Sequence, residues 1–195
     1  MAVSYVIALT GFPGVGKLTV ARSIADSIEG SEGIALVVDN HWVNNPIFGL
    51  IAQDGVTPLP TEVWQRVGEV ASAVFRTIET LTPKSWNVIF TQYLDGITDI
   101  DWLPSVGRIA EQRGATFVPV RLLCEVEENA RRIVQPERRA LMKSTDPEEP
   151  YRLAQGDPPN DSGSPNCLTL DVTTTPPADA ASLILRHASA IDSTS

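Results

Sequence analysis

Short, almost continuously apolar runs alternate along this chain with longer stretches whose apolar residues recur every three or four positions. The runs lie at about Tyr5–Leu9, Ile34–Val38, Trp86–Thr91, Thr116–Leu123 and Leu168–Asp171. They are strand-length and lack polar alternation, as strands buried on both faces do. Helical spacing is predicted at about Gly16–Ile28, Thr61–Leu81, Asp101–Arg113, Glu125–Val134 and Ala178–Ala190. In the second of these, Val63, Val67, Val70, Val74, Ile78 and Leu81 form the apolar stripe, and Thr61 is a plausible N-cap. Gly114 is placed to close the third helix in a left-handed cap. Asp39–Pro60, rich in Asn, Pro and Gly, is expected to be irregular. Ser144–Asn166 is expected to be an exposed, mobile loop, and Ile191–Ser195 a frayed tail. Strands alternating with helices predict parallel βαβ units, hence an α/β class and a three-layer α/β/α sandwich with a five-stranded parallel sheet. Periodicity leaves the strand order open.

Composition narrows the class. With 195 residues and 43% hydrophobic content, one domain spanning 1–195 is expected. The apolar runs are too short to span a bilayer. Met1–Ser4 carries no basic stretch, so no signal peptide is expected. Cys124 and Cys167 are too few for a disulfide framework or a metal cluster. Together these predict a cytoplasmic protein, as a monomer or homodimer. A net charge of −9 and a pI near 4.7 argue against a nucleic-acid partner.

Between the first run and the first helix stands Thr10–Thr19, TGFPGVGKLT. Its Gly11, Gly16 and Lys17 form G-x-x-x-x-G-K, flanked by strand and helix as a phosphate-binding P-loop requires. Glycines let several N–H groups converge on one anion, and the helix N-terminus adds positive potential at the same point. Lys17 can then reach β- and γ-phosphates. Leu18 stands where a Mg²⁺-ligating hydroxyl is usual, and the hydroxyl comes one place later, at Thr19. Gly11, Pro13, Gly14, Gly16, Lys17 and Thr19 match G-x-P-G-x-G-K-x-T. On these residues the chain resembles the small P-loop kinases of the adenylate, shikimate and gluconate kinase and chloramphenicol phosphotransferase type. The resemblance implies strand order 2-3-1-4-5, with ATP bound by Gly11, Pro13, Gly14, Val15, Gly16, Lys17, Leu18 and Thr19. Mg²⁺ would be held mainly by water and phosphate, so no protein ligand is assigned to it.

The remaining candidates lie at strand ends and in one basic segment. Asp39 closes the second strand, where side chains face the ligand crevice; it either takes an acceptor's hydroxyl proton or caps a turn. His41 and Asn44 follow closely and are candidate substrate contacts, as is Gln92 at the end of the third strand. That strand ends Thr91-Gln92 rather than in a Walker B aspartate, and the Asp95-Gly96 pair beyond it lacks the arginine of the adenylate kinase D-G-F-P-R segment. Arg131, Arg132, Arg138, Arg139 and Lys143 crowd thirteen residues of an otherwise acidic chain. The resemblance implies a lid over about 135–166 whose arginines, Arg132, Arg138 and Arg139 among them, neutralise the transferring phosphoryl. Some of these arginines can equally pair with Glu127, Glu128 and Glu137 along a solvated helix face. The resemblance puts adenine near Thr173, after the fifth strand. Trp42, Trp64, Trp86 and Trp102 are expected in the core or in pocket walls. The expected function is ATP-dependent phosphoryl transfer to a hydroxyl of a small molecule, with about 39–60 as the acceptor-site segment. A nucleoside monophosphate kinase and a regulatory ATPase are the alternatives.

Overall fold

The computed structural model describes residues 4–51, 53–54, 57–94, 101–156 and 164–193. Strands β1 (Tyr5–Thr10), β2 (Ala35–Asp39), β3 (Asn87–Gln92), β4 (Thr116–Leu123) and β5 (Leu168–Asp171) form one parallel sheet. Its order is β2-β3-β1-β4-β5, as the resemblance implied. Alternation along each strand divides the core into two layers. Val6 and Ala8 of β1 and Val88 and Phe90 of β3 meet Ile78 of α3 (Thr61–Thr80) and Val106 and Ile109 of α4 (Trp102–Arg113). Ile7, Leu9, Ile89 and Val120 face the other way, onto Val20 and Ile24 of α1 (Lys17–Glu29) and Ile184 and Ala188 of α8 (Pro177–Asp192). Among the described residues, no helix is long and apolar enough to cross a membrane.

Several local expectations are corrected. Residues 39–60 are not wholly irregular, because α2 (His41–Phe48) forms there despite Pro46. Val43 and Phe48 of α2 pack on Val67 of α3, so tertiary burial overrides a poor helical composition. Thr61 is not a cap. Pro60 occupies that position with extended backbone, and Thr61 is already helical. The apolar stripe of α3 stops at Ile78, since Leu81 is 77% exposed. The stretch after β4 holds three helices, α5 (Val126–Ile133), α6 (Pro136–Ala140) and α7 (Glu149–Ala154). The last of these falls within the expected mobile loop, packs on α5 and buries Pro150. Ile191 is not frayed but buried on the core as part of α8. Trp42 is exposed, whereas Trp102 packs on the sheet beside Phe90. Gly114 adopts the expected left-handed cap, φ 65°.

One buried cation organises the far end of the molecule. Arg113, 3% exposed, ends α4. Its Nη1 donates to the carbonyls of Ile78 (2.8 Å) and Thr82 (3.1 Å), and its Nη2 to those of Pro83 (2.8 Å) and Trp86 (2.9 Å). These are the orphan carbonyls at the C-terminal end of α3 and in the turn to β3, where a cation also meets the negative end of the helix dipole. Arg113→Met should cost roughly 3 kcal/mol through stranded buried carbonyls. Arg113→Lys should recover less than half of that, because an ammonium cannot span four acceptors. Urea unfolding midpoints check both values.

Candidate functional site

The segment between β1 and α1 curls through three glycines with positive φ: Gly11 at 147°, Gly14 at 89° and Gly16 at 104°. A Cβ on Gly14 would stand 2.2 Å from Asn129 Oδ1, and one on Gly11 would stand 2.6 Å from the Leu122 carbonyl oxygen. The loop is therefore pressed between β4 and α5 as well as curled. Val15 is buried in the core, so only its backbone is available to a ligand. Pro13, Gly14, Gly16, Leu18 and Thr19 line a cavity of about 670 Å³ together with Lys17. Lys17 Nζ donates to the carbonyls of Gly11 (2.7 Å) and Phe12 (2.9 Å). Burial, and then the charges of Lys143 and Arg138, bring its pKa down to about 7. Three cations thus crowd one point of the cavity.

Strand alternation and register deliver the opposite wall. Asp39 of β2 lies beside Thr91 of β3, with both side chains on the α1 face of the sheet. Thr91 Oγ1 donates to Asp39 Oδ1 at 2.7 Å, and Lys143 Nζ reaches Asp39 Oδ2 at 2.8 Å. Burial works against the Asp39 charge. The Lys143 ammonium and the hydrogen bonds from Lys143 and Thr91 outweigh it and hold the carboxyl below the usual range. The same alternation turns Gln92 toward the opposite face, and Gln92 does not line the cavity. His41 and Asn44 do line it, one helical turn apart on α2. His41 Nδ1 and Asn45 Oδ1 are 2.9 Å apart. Burial is the main cause that lowers the His41 pKa to about 4, so its ring is neutral at pH 7.

The arginines separate into different roles. Arg132 clasps the loop to the end of β5, donating to the carbonyls of Val15 (3.2 Å), Val172 (3.0 Å) and Thr173 (2.7 Å) and to Glu128 Oε1 (2.7 Å). It borders the cavity with most of its donors already engaged. Arg138 lines the cavity near Lys17 and donates Nε to the Ser144 carbonyl at 2.9 Å. Arg139, one residue on along a short helix, is exposed outside the cavity. Thr173 does not line the cavity either; its hydroxyl accepts from the Glu125 N–H and its carbonyl from Arg132. Asp95 lies outside the described residues. Sequence reasoning did not assign roles to Thr91, Gln53, Met142 or Glu149, which border the cavity, whereas Trp64, expected in the core or a pocket wall, stands in its wall, and Lys143 of the basic segment reaches Asp39. The period-2 pattern of β3 sets Thr91 and Gln92 on opposite faces, but only the packing of the layers decides which of them meets Asp39.

The donor set bears on metal binding. Among the described residues no group of three or more His, Cys, Asp or Glu side chains is arranged to hold a metal ion. Leu18, which stands where a Mg²⁺-ligating hydroxyl is usual, also lines the cavity.

No protein-family model and no curated protein matches this sequence. Solved structures do. A gluconokinase from Sinorhizobium meliloti 1021 is 15% identical, with a TM-score of 0.57 over 99% of this chain and 97% of its own. The Mycobacterium tuberculosis APS kinase CysC, solved with AMPPNP and APS, is 14% identical, with a TM-score of 0.59 over 96% and 98%. Chaetomium thermophilum Kti12, solved with ADP-AlF3, is 16% identical, with a TM-score of 0.58 over 95% and 98%. The likeness is one of fold, and the chain shares the fold of these structures.

A polyanion entering beside Lys17 should restore the lysine's proton. Free Lys17 titrates near pH 7, so it is largely neutral at pH 8, and a neighbouring phosphate raises its pKa. Binding of tripolyphosphate at pH 8 should include a proton uptake that depends on Lys17, and that uptake should vanish near pH 5.5, where free Lys17 is already charged. Calorimetric titration in buffers of different ionisation enthalpy measures it, and Lys17→Ala should remove it.

Proposed function

We propose that this protein is a phosphotransferase that moves the γ-phosphoryl of ATP to a hydroxyl of a small molecule. The observation that carries this reading is the meeting of Lys17, Arg138 and Lys143 beside a glycine loop, with the buried carboxylate of Asp39 across the same cavity. Asp39 and Glu149 offset part of the charge of these three half-buried cations, and a transferring phosphoryl would complete the balance. ATP supplies the phosphoryl group and a good leaving group. A bond forms between the acceptor oxygen and the γ-phosphorus, the bond from that phosphorus to the β,γ-bridging oxygen breaks, and ADP leaves with the electron pair.

The residues divide the work. Backbone N–H groups of Gly14–Lys17 and the start of α1 cradle the phosphates. Lys17 exchanges its two carbonyl partners for phosphate oxygens, and Arg138 adds charge at the same end. Arg132 holds the loop against β5 while these exchanges occur. Asp39, ionised at neutral pH, accepts the hydrogen bond of the acceptor hydroxyl and orients its oxygen toward the phosphorus. In a loose transition state little proton transfer is needed early, so a low-pKa carboxylate suffices. The proton then passes to water. Thr91 fixes the carboxylate rotamer and leaves lone pairs on both oxygens free for the acceptor.

The setting of Asp39 favours a small acceptor over a macromolecular one. Asp39 and Asn44 are only 7% and 8% exposed, at the bottom of a cavity rather than on a flat surface. This counts against the regulatory ATPase reading, in which a partner protein would have to reach the carboxylate.

Two substitutions test the assignment. Lys17→Ala should abolish phosphoryl transfer and weaken triphosphate binding. Asp39→Asn should keep ATP binding and lower kcat by ~100-fold or more, the scale of a positioned acid–base group. If Asp39 only caps the turn into α2, the variant loses about 1 kcal/mol of stability while its folded fraction turns over normally. Single-turnover rates measured beside thermal unfolding separate the two outcomes.

A further inference from the structure

The cavity is electrically divided. The cations that line it come from α1 (Lys17 and Arg22) and from the chain after β4 (Arg132, Arg138, Lys143 and Arg152). None comes from residues 40–65, which contain no Lys or Arg in the sequence. That segment contributes neutral polar and apolar groups to the cavity, and its two acids are Asp54, which holds the Thr57 N–H and hydroxyl at 2.7 Å each, and Glu62. His41 adds no charge at neutral pH. An anionic group bound against this segment, away from Lys143 at Asp39, would lose its hydration without gaining a cation from the segment.

The same segment is built to hold a ring. Phe48, 4% exposed, packs edge-to-face on Trp64 with centroids 5.7 Å apart. Trp64 keeps 49% of its surface open while bordering the cavity, and Leu59 and Met142 extend the apolar wall. Polar recognition is sparse and uncharged. Asn44 lines the cavity from α2, and Gln53 Oε1 is buried without a hydrogen-bond partner among the described residues. An unpaired buried acceptor selects for a ligand that brings a donor, because a ligand lacking one leaves it stranded.

We infer that the acceptor is an uncharged alcohol with an apolar, ring-sized body, held between α2 and the start of α3 with its hydroxyl at Asp39 and a neutral O–H or N–H donor at Gln53. This rests on the phosphotransferase reading and deepens it. Acceptors that carry a carboxylate or phosphate, nucleoside monophosphates among them, are disfavoured by the same charge division. Each transfer consumes one alcohol and one ATP and yields a phosphate monoester, ADP and a proton.

Matched acceptor pairs that differ in one charged group provide the test: 1-phenylethane-1,2-diol against mandelate, and thymidine against thymidine 5′-monophosphate. Each is titrated into full-length protein saturated with Mg²⁺ and AMP-PNP, and ADP release is measured with ATP. The neutral member of each pair should bind about tenfold more tightly or better. Trp64→Ala should weaken the neutral members about tenfold and leave AMP-PNP affinity unchanged. Gln53→Lys should shift the neutral-to-anionic preference about tenfold toward the anion. Tighter binding of the anionic members, no binding of the neutral ones, or a preference that Gln53→Lys does not move overturns the inference. If AMP-PNP binds and the anionic members become phosphorylated, the acceptor class falls and the phosphotransferase reading stands. If AMP-PNP does not bind, or ADP release never depends on an acceptor, that reading falls and takes this inference with it.

Discussion

A half-buried lysine at the cavity wall, with two carbonyl oxygens as its direct partners, dictates much of what surrounds it. Lys17 sits at the first turn of α1, where the helix dipole already repels a cation, and two further cations stand close by. Only a rigid frame holds such an arrangement in the absence of its counter-anion. The frame is made by burial. Val15 is locked into the core, Asn129 presses on Gly14, and the Leu122 carbonyl crowds Gly11. Arg132 then ties the loop to the end of β5. Most of the rigidity of the loop is imported from α5 and β4 and is not intrinsic to the glycine sequence.

Asp39 and Lys17 illustrate two ways in which burial acts on charge. Both lose contact with water, the lysine in part, yet the lysine is driven toward neutrality while the carboxylate stays ionised. The difference is partnership. Asp39 has an ammonium at 2.8 Å and a hydroxyl at 2.7 Å, whereas the neighbours of Lys17 include two like charges. Lys143 contributes to both effects, and so links the anion-hungry end of the cavity to the carboxylate end.

The sheet, its order and the loop were legible because their signals are local or shared by a well-marked fold: apolar runs, a glycine pattern, a strand before it and a helix after it. Asp39 was legible from its place at a strand end. The rest depended on pairing that no local pattern encodes. Gln92 and Thr91 are adjacent and similarly polar, and only the parity of β3 against the packed layers decides which one meets Asp39. Arg138 and Arg139 present the same problem on a short helix, where one residue of rotation separates a cavity wall from solvent. Helix α2 was missed because its stability comes from α3 and not from its own residues, Pro46 least of all. Lys143 was visible as a charge, but its partner stands 104 residues away.

Helix α3 has one further property, a mechanical one. Its C-terminal end is pinned by the four bonds of Arg113, and its N-terminal turn carries Trp64 into the cavity wall. Twenty residues of helix make a stiff rod about 30 Å long. A tilt of only a few degrees about the pinned end sweeps the indole through ångströms, while the sheet and the glycine loop stay where they are. The wall on this side of the cavity is thus one end of a rod whose foot is fixed at the opposite end of the molecule and whose tip leans on α2.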